Sequence, residues 1–217
     1  MVLKWVFDRV VSFIGLLFLW PVLLAVAFLI KKNMPNESVI FAQNRVGLHG
    51  DLFLIYKFRT MIDSPRGSSI SFVGDNRITP LGAWLRKNKV DVLPELWNVL
   101  KGDMSFVGPR PDVPGYADKL EGDDRDILKL RPGITGPATM KYRFEEEMIA
   151  GYVTQRQKEG DNRNSQEIAV EYNDHVIYPD KVRLNCYYYR HYSFVKDIQM
   201  IICTLLGKKM KYNNEII

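Results

Sequence analysis

Two cysteines in 217 residues, Cys186 and Cys203, are too few to staple a chain of this size and lack the paired spacing of a zinc site. A disulfide-built secreted scaffold is excluded, and a reducing, cytoplasm-facing environment is expected. Histidine is as scarce: His49, His175 and His191 stand far apart without ligand spacing and read as loop or surface residues. The chain carries no P-loop, no Gly-rich dinucleotide fingerprint, no GxSxG elbow and no HExxH. Asp123-Asp124 is not the spaced aspartate pair of many nucleotide-sugar glycosyltransferases, and it reads as a solvated helix face. No internal repeat or low-complexity tract is present. Excess charge is small too: 30 Lys and Arg against 25 Asp and Glu leave +5, which suits anionic lipid, phosphate-bearing substrates or nucleic acid without choosing among them. With 47% hydrophobic and 25% charged residues the chain is globular rather than disordered, and its length fits one compact unit with an appendage.

What is abundant is apolar sequence near the amino terminus. Val10 to Ile30 contains no charge, and as one straight helix it would measure about 31 Å, close to the roughly 30 Å of a bilayer core. Pro21 near its centre removes a backbone donor and predicts a kink or break into two halves too short to span. Lys4 and Arg9 precede the run and Lys31 and Lys32 follow it, so both ends prefer the cytoplasmic side. A re-entrant hairpin over residues 1–34 satisfies that symmetry; a kinked transmembrane anchor is the competing reading, and a cleavable signal peptide lacks its small-residue site.

Residues 35–217 read as the cytoplasmic catalytic domain. After the MPNES linker, two extended runs flank a Gly-containing turn near residues 48–51 and predict a hairpin. SPRGSSISFVGDN is expected to form a surface loop. Thr79-Pro80 signals a helix start, with Leu81, Trp84 and Leu85 facing inward. A second helix is expected from Val92, with Asp91 as its cap, Leu93, Leu96, Trp97 and Leu100 on one stripe, and Gly102 as its stop. FVGPRPDVPG and RPGITGPATMKYR are shaped loops, with helices expected around 117–130 and 143–158. From residue 180 onward aromatic and basic residues alternate, which suits either a membrane interface or a packed terminal helix. The fold class expected is mainly α with a small β-hairpin.

Basic residues gather in these loops: Lys57, Arg59, Arg77, Arg86, Arg110 and Arg131. Arginine in Pro-flanked loops suits phosphate, because its planar fork makes paired charge-assisted hydrogen bonds. Arg110, between Pro109 and Pro111, is the strongest single candidate. Pro94 removes a donor that a capping Asp91 would use, leaving that carboxylate free as a nucleophile of the acyl-phosphate type. Glu95, four residues on, would share a metal ion with Asp91.

YKFRTM, RITPLGAWLRK, DVLPELWNVLKGDMSFVGPRPDVPGY and RPGITGPA resemble the bacterial sugar transferase family, the monotopic phosphoglycosyl transferases, over nearly the whole chain. The resemblance implies transfer of a phospho-sugar from a UDP-sugar to polyprenyl (undecaprenyl) phosphate with release of UMP, Mg2+ dependence, and a covalent intermediate on Asp91. It implies a bacterial inner-membrane enzyme facing the cytoplasm and starting surface-glycan synthesis. Pro21 then matches the break in the family's re-entrant helix and Arg110 its PRP arginine. Anionic lipids are expected partners, a homodimer contact through the tail is open, and nucleic acid is not expected. One departure stands out: the family's Glu after the nucleophile is Val92 here. Either another carboxylate, Glu95 first and Asp103 second, supplies the missing ligand, or the chain is a catalytically impaired relative that binds ligand and scaffolds a glycan-assembly complex.

Overall fold

The computed structural model describes residues 2–62 and 77–217; the expected SPRGSSISFVGDN surface loop lies outside them. Among the described residues the fold is mainly helical, with three two-stranded sheets.

Helix α1, Val2–Asn33, is continuous and contains Pro21. The expected break into two half-helices is therefore corrected: one proline removes a single ladder bond, and the apolar turns on either side remain helical. At about 1.5 Å per residue α1 is about 48 Å long. Among the described residues it is the one helix long and apolar enough to cross a membrane. Its burial is inverted relative to a soluble helix. Lys4, Asp8 and Ser12, spaced by four, face the protein, whereas Leu3, Phe13, Leu17, Phe18, Trp20, Leu24 and Phe28 are exposed. Lys4 Nζ lies 2.6 Å from Asp197 Oδ2, the Tyr188 hydroxyl donates to Asp197 Oδ1 at 2.6 Å, and Phe106 N–H donates to Asp8 Oδ1 at 3.3 Å. At the other end Val26, Ile30 and Met34 pack with Phe58 and Leu85. The same domain thus grips α1 near both ends.

Strands β1 (Ile40–Val46) and β2 (Leu52–Phe58) form the expected antiparallel hairpin, from Ile40 opposite Phe58 to Val46 opposite Leu52. Its turn takes left-handed backbone at His49 and Gly50. Helix α2, Pro80–Lys87, starts as expected, with Thr79 Oγ1 accepting from Gly82 N–H at 3.0 Å. Leu85 is fully buried, but Trp84 is 54% exposed, which corrects its inward assignment. Helix α3 spans Glu95–Lys101 and stops at Gly102, whose φ of 100° permits the left-handed cap. Leu96 and Val99 are buried there, while Trp97 is 51% exposed, again against expectation. Periodicity fixes which residues share a helix face but not how wide the covered stripe is.

Both Pro/Gly loops hold a short strand: β3 (Ser105–Val107) pairs in parallel with β4 (Gly133–Thr135). The crossing is tight enough to require glycine. A Cβ on Gly108 would stand 2.3 Å from the Arg131 carbonyl oxygen, and one on Gly133 would stand 2.1 Å from the Gly108 nitrogen. The helix expected around 117–130 is instead two 3-10 segments, Ala117–Lys119 and Gly122–Lys129. Gly122, at φ 54°, interrupts the run, and the aspartates after it are weak helix formers.

Helices α4 (Pro137–Lys141), α5 (Glu145–Lys158, close to the expected 143–158), α6 (Ser165–Tyr172), α7 (Tyr178–Arg190) and α8 (Phe194–Leu206) follow, and a terminal hairpin of β5 (Lys211–Tyr212) and β6 (Glu215–Ile216) closes the chain. A π-turn, Asn173–Ile177, leads into α7. Of the aromatic-basic tail, α7 is a core helix burying Val182, Leu184, Cys186 and Tyr188. Helix α8 exposes Val195, Ile202, Leu205 and Leu206.

Candidate active site

The end of β2, the turn before α3 and the loop after β3 bring a cluster of charges together. Asp91 to Pro94 form turns in which Leu93 N–H reaches the Val90 carbonyl at 3.2 Å, and Glu95 N–H the Val92 carbonyl at 2.9 Å. The regular helix begins only at Glu95, after Pro94. Asp91 is therefore not the cap of α3. The Asp91 carbonyl accepts from Phe58 N–H at 2.9 Å, tying the turn to β2. Its carboxylate atom Oδ1 is buried and has no hydrogen-bond partner. A desolvated acceptor without a donor is costly, and a catalytic role is one of the physical accounts of such an atom.

Glu95 is 3% exposed, with Lys57 Nζ 3.2 Å from its Oε1. Burial pushes the Lys57 ammonium below its ordinary range; Glu95 and Asp91 pull it back up, while Arg110 and Arg45 push it further down. Arg45, on β1, donates to the Pro111 carbonyl at 3.2 Å and to Gln43 Oε1 at 2.7 Å. Burial first, and Arg110 second, bring the Arg45 guanidinium down to about 10, so it stays charged at neutral pH. Arg110 itself is exposed. Asp112 accepts from the Tyr178 hydroxyl at 3.1 Å, and burial raises its carboxyl to about 6 against the pull of Lys181, Tyr178, Arg45 and Arg110. Tyr178 packs edge-to-face on Tyr116 at 5.0 Å, and the Tyr116 hydroxyl donates to Asp174 at 2.9 Å.

Of the residues singled out in the sequence, Lys57, Asp91, Glu95 and Arg110 come together here. Arg59 holds the Ser38 carbonyl at 2.8 Å and Glu37 at 3.2 Å. Arg86 donates to Thr60 and to Glu146, each at 3.0 Å. The Arg77 carbonyl accepts from Ile62 N–H at 3.0 Å. Arg131 donates to the Gly102 carbonyl at 2.9 Å, at the far end of α3 from Glu95. Asp103 sits at that same far end, accepting from Lys101 at 2.9 Å and Asn98 at 3.2 Å. Arg45, Asp112 and Tyr178 belong to the cluster and were not singled out from sequence; Arg45, just before the Val46-Gly47 turn, was the one legible hint. His49, His175 and His191 are exposed, as are Asp123 and Asp124, all as expected.

No group of three or more His, Cys, Asp or Glu poised to hold a metal occurs among the described residues. Mg2+ asks for less, because it is commonly held by one or two carboxylates together with substrate phosphates and water. The Asp91 and Glu95 carboxylates carry hard oxygen donors of the kind such an ion takes.

Comparison with known proteins supplies the context for this cluster. The family model described as bacterial sugar transferase matches residues 1–209. An Aeromonas hydrophila UDP-N-acetylgalactosamine-undecaprenyl-phosphate N-acetylgalactosaminephosphotransferase is 39% identical over 145 residues, covering 63% of this chain and 33% of its own length. A Xanthomonas campestris UDP-glucose:undecaprenyl-phosphate glucose-1-phosphate transferase is 39% identical over 135 residues, covering 59% of this chain and 28% of its own. A Bacillus subtilis putative undecaprenyl-phosphate N-acetylgalactosaminyl 1-phosphate transferase is 35% identical over 150 residues, covering 67% and 79%. The chain therefore spans about a third of the length of the first two relatives. With the family match running over nearly its whole length, the chain belongs to the bacterial sugar transferase family.

Proposed function

We propose that this chain transfers a phospho-sugar from a UDP-sugar to undecaprenyl phosphate, releasing UMP, as the membrane step that starts assembly of a surface glycan. The observation that carries the reading is the buried Asp91 Oδ1 without a donor, its charge acting on Lys57 together with those of Arg110 and Arg45. A nucleophile needs a lone pair not already committed to a hydrogen bond, and a diphosphate needs cations. The relatives' names carry the same substrate classes.

In the first step an Asp91 carboxylate oxygen attacks the sugar-bearing phosphorus. The bond from that phosphorus to the bridging oxygen breaks, and UMP leaves with the electron pair on its phosphate. In the second step an oxygen of undecaprenyl phosphate attacks the same phosphorus and Asp91 departs as carboxylate, leaving undecaprenyl diphosphate-sugar. Both steps spread negative charge over phosphoryl oxygens, which fixed cations stabilise without reorganising. Lys57 and Arg110 take that role, while Lys57 also holds Glu95 in place at 3.2 Å. Asp91 and Glu95 would hold Mg2+, which when bound supplies further positive charge against the diphosphate. Glu95 is the carboxylate we assign in place of the glutamate that Val92 displaces.

The membrane arrangement we propose is an α1 inserted in one leaflet, with both ends on the cytoplasmic side. Lys4 and Ile30, about 39 Å apart along the helix, are both buried against the same domain, a placement difficult to reconcile with a straight span. The outward face carries Phe18, Trp20, Leu24 and Phe28 for lipid, and exposed Trp84 and Trp97 suit the headgroup boundary.

The test is UMP release by detergent-purified protein given Mg2+, undecaprenyl phosphate and a panel of UDP-sugars. Release that Asp91→Asn abolishes supports the reading. Silence of the native chain across the panel with activity in Val92→Glu would make it the impaired relative, and silence in both would remove the transferase reading.

A further inference from the structure

The three cations of the site are not equally accounted for by a merely structural role. Arg45 is anchored through one terminal nitrogen to the Pro111 carbonyl and through the other to Gln43. Its Nε is buried with no hydrogen-bond partner. The anchoring holds this guanidinium where the charge of Arg110 opposes it, and both cations bear on Lys57. The backbone is committed to this crowding, since Val46 N–H, next along β1, donates to the Asp112 carbonyl at 2.9 Å. The carboxylates acting on Arg45 are Asp112 and Glu95. Glu95 is also paired with Lys57, and Asp112 takes its hydrogen bond from Tyr178. A guanidinium anchored through both terminal nitrogens, opposed by the charge of Arg110 and with its Nε donor unsatisfied, suits an anion.

We infer that Arg45 is a third cation of the diphosphate site: its guanidinium contacts a phosphate of the nucleotide, and its bond to Pro111 sets the height of the Pro109–Pro111 loop so that Arg110 meets the same group. The inference rests on the nucleotide-sugar reading above. It adds a binding and positioning residue on β1, the strand paired with the one that carries Lys57. It also explains why the strand end is bonded to the loop at two successive residues, 45 and 46.

The experiment is equilibrium dialysis with labelled UDP on the full chain in detergent, for the native protein, Arg45→Gln and Arg45→Lys, with uridine as an uncharged competitor and melting temperature recorded for each. Losing a charged hydrogen-bond partner should weaken UDP by about 10- to 100-fold in Arg45→Gln. Arg45→Lys, which keeps the charge, should recover most of that loss, and the competition constant for uridine should stay within about twofold. Native-like UDP binding in Arg45→Gln overturns the inference and leaves the transferase reading standing. A uridine loss equal to the UDP loss, or no recovery in Arg45→Lys, also overturns it, because a merely structural arginine would act on both ligands and would not depend on charge. If the native chain fails to bind UDP at all, the nucleotide-sugar reading falls and the inference with it.

Discussion

Lys4→Met is the substitution whose effect follows most directly from the packing of α1. Lys4 Nζ lies 2.6 Å from Asp197 Oδ2, with the two side chains 10% and 2% exposed. Asp197 also accepts from the Tyr188 hydroxyl at 2.6 Å, so removing the lysine leaves a buried carboxylate with one neutral donor. Breaking a buried pair from one side costs about 3–5 kcal/mol. In a protein of this size each kcal/mol moves the melting temperature by about 2–4 °C, so Lys4→Met should melt about 6–20 °C below the native chain. Lys4→Met combined with Asp197→Leu removes both charges and should recover most of the loss, giving a large non-additive coupling. Tryptophan fluorescence of protein in nanodiscs, heated at one fixed rate, measures both. Melting of Lys4→Met within about 2 °C of native, or a double variant equal to the sum of the singles, would refute the buried pair. It would also remove the support that the amino-terminal grip gives to both ends of α1 lying on the domain side.

Further outcomes follow from other parts of the fold. Asp112, raised to about 6 by burial, favours folding fully below its unfolded value near 3.8, and that contribution is lost as pH rises through 6. At up to about 3 kcal/mol for the shift, native stability relative to Asp112→Asn should fall between pH 4 and 6, and a flat difference across that window contradicts the assignment. Gly108→Ala should cost at least about 2 kcal/mol and disturb the arginine loop, because its Cβ meets the Arg131 carbonyl oxygen at 2.3 Å. Gly151→Ala, in α5 with nothing within 4 Å, should instead stabilise by about 0.5–1 kcal/mol, and chemical denaturation of the pair checks both signs. Cysteines placed at Val2 and Asn36 should label from the same side of sealed vesicles; labelling from opposite sides refutes the one-leaflet arrangement.

The sequence was most readable where one residue has one job. Thr79-Pro80 forced the start of α2, Gly102 its left-handed stop at the end of α3, and the residues around Gly50 the hairpin turn, each through local backbone chemistry. It was least readable where the outcome depends on distant partners. Pro21 does not interrupt α1, and Trp84 and Trp97 face outward on helices whose periodicity pointed them in. Whether a proline breaks a long apolar helix, and which way a tryptophan faces, depends on the surroundings of the element, which spacing does not encode. Half of the site was visible as charged residues: Lys57 on β2, Asp91 in its turn, Glu95 on α3 and Arg110 in its loop. The other half, Arg45, Asp112 and Tyr178, was hidden because β1, the arginine loop and α7 meet only through tertiary contacts.

The central claim is that the Asp91 carboxylate is the group that bonds to phosphorus. The most direct measurement is the intact mass of purified protein incubated with UDP-sugar and Mg2+ in the absence of undecaprenyl phosphate, followed by peptide mapping. The account predicts one added phospho-sugar on the peptide containing Asp91, gone in Asp91→Asn and discharged when undecaprenyl phosphate is supplied. UMP release without any adduct, or an adduct on another residue, would contradict it.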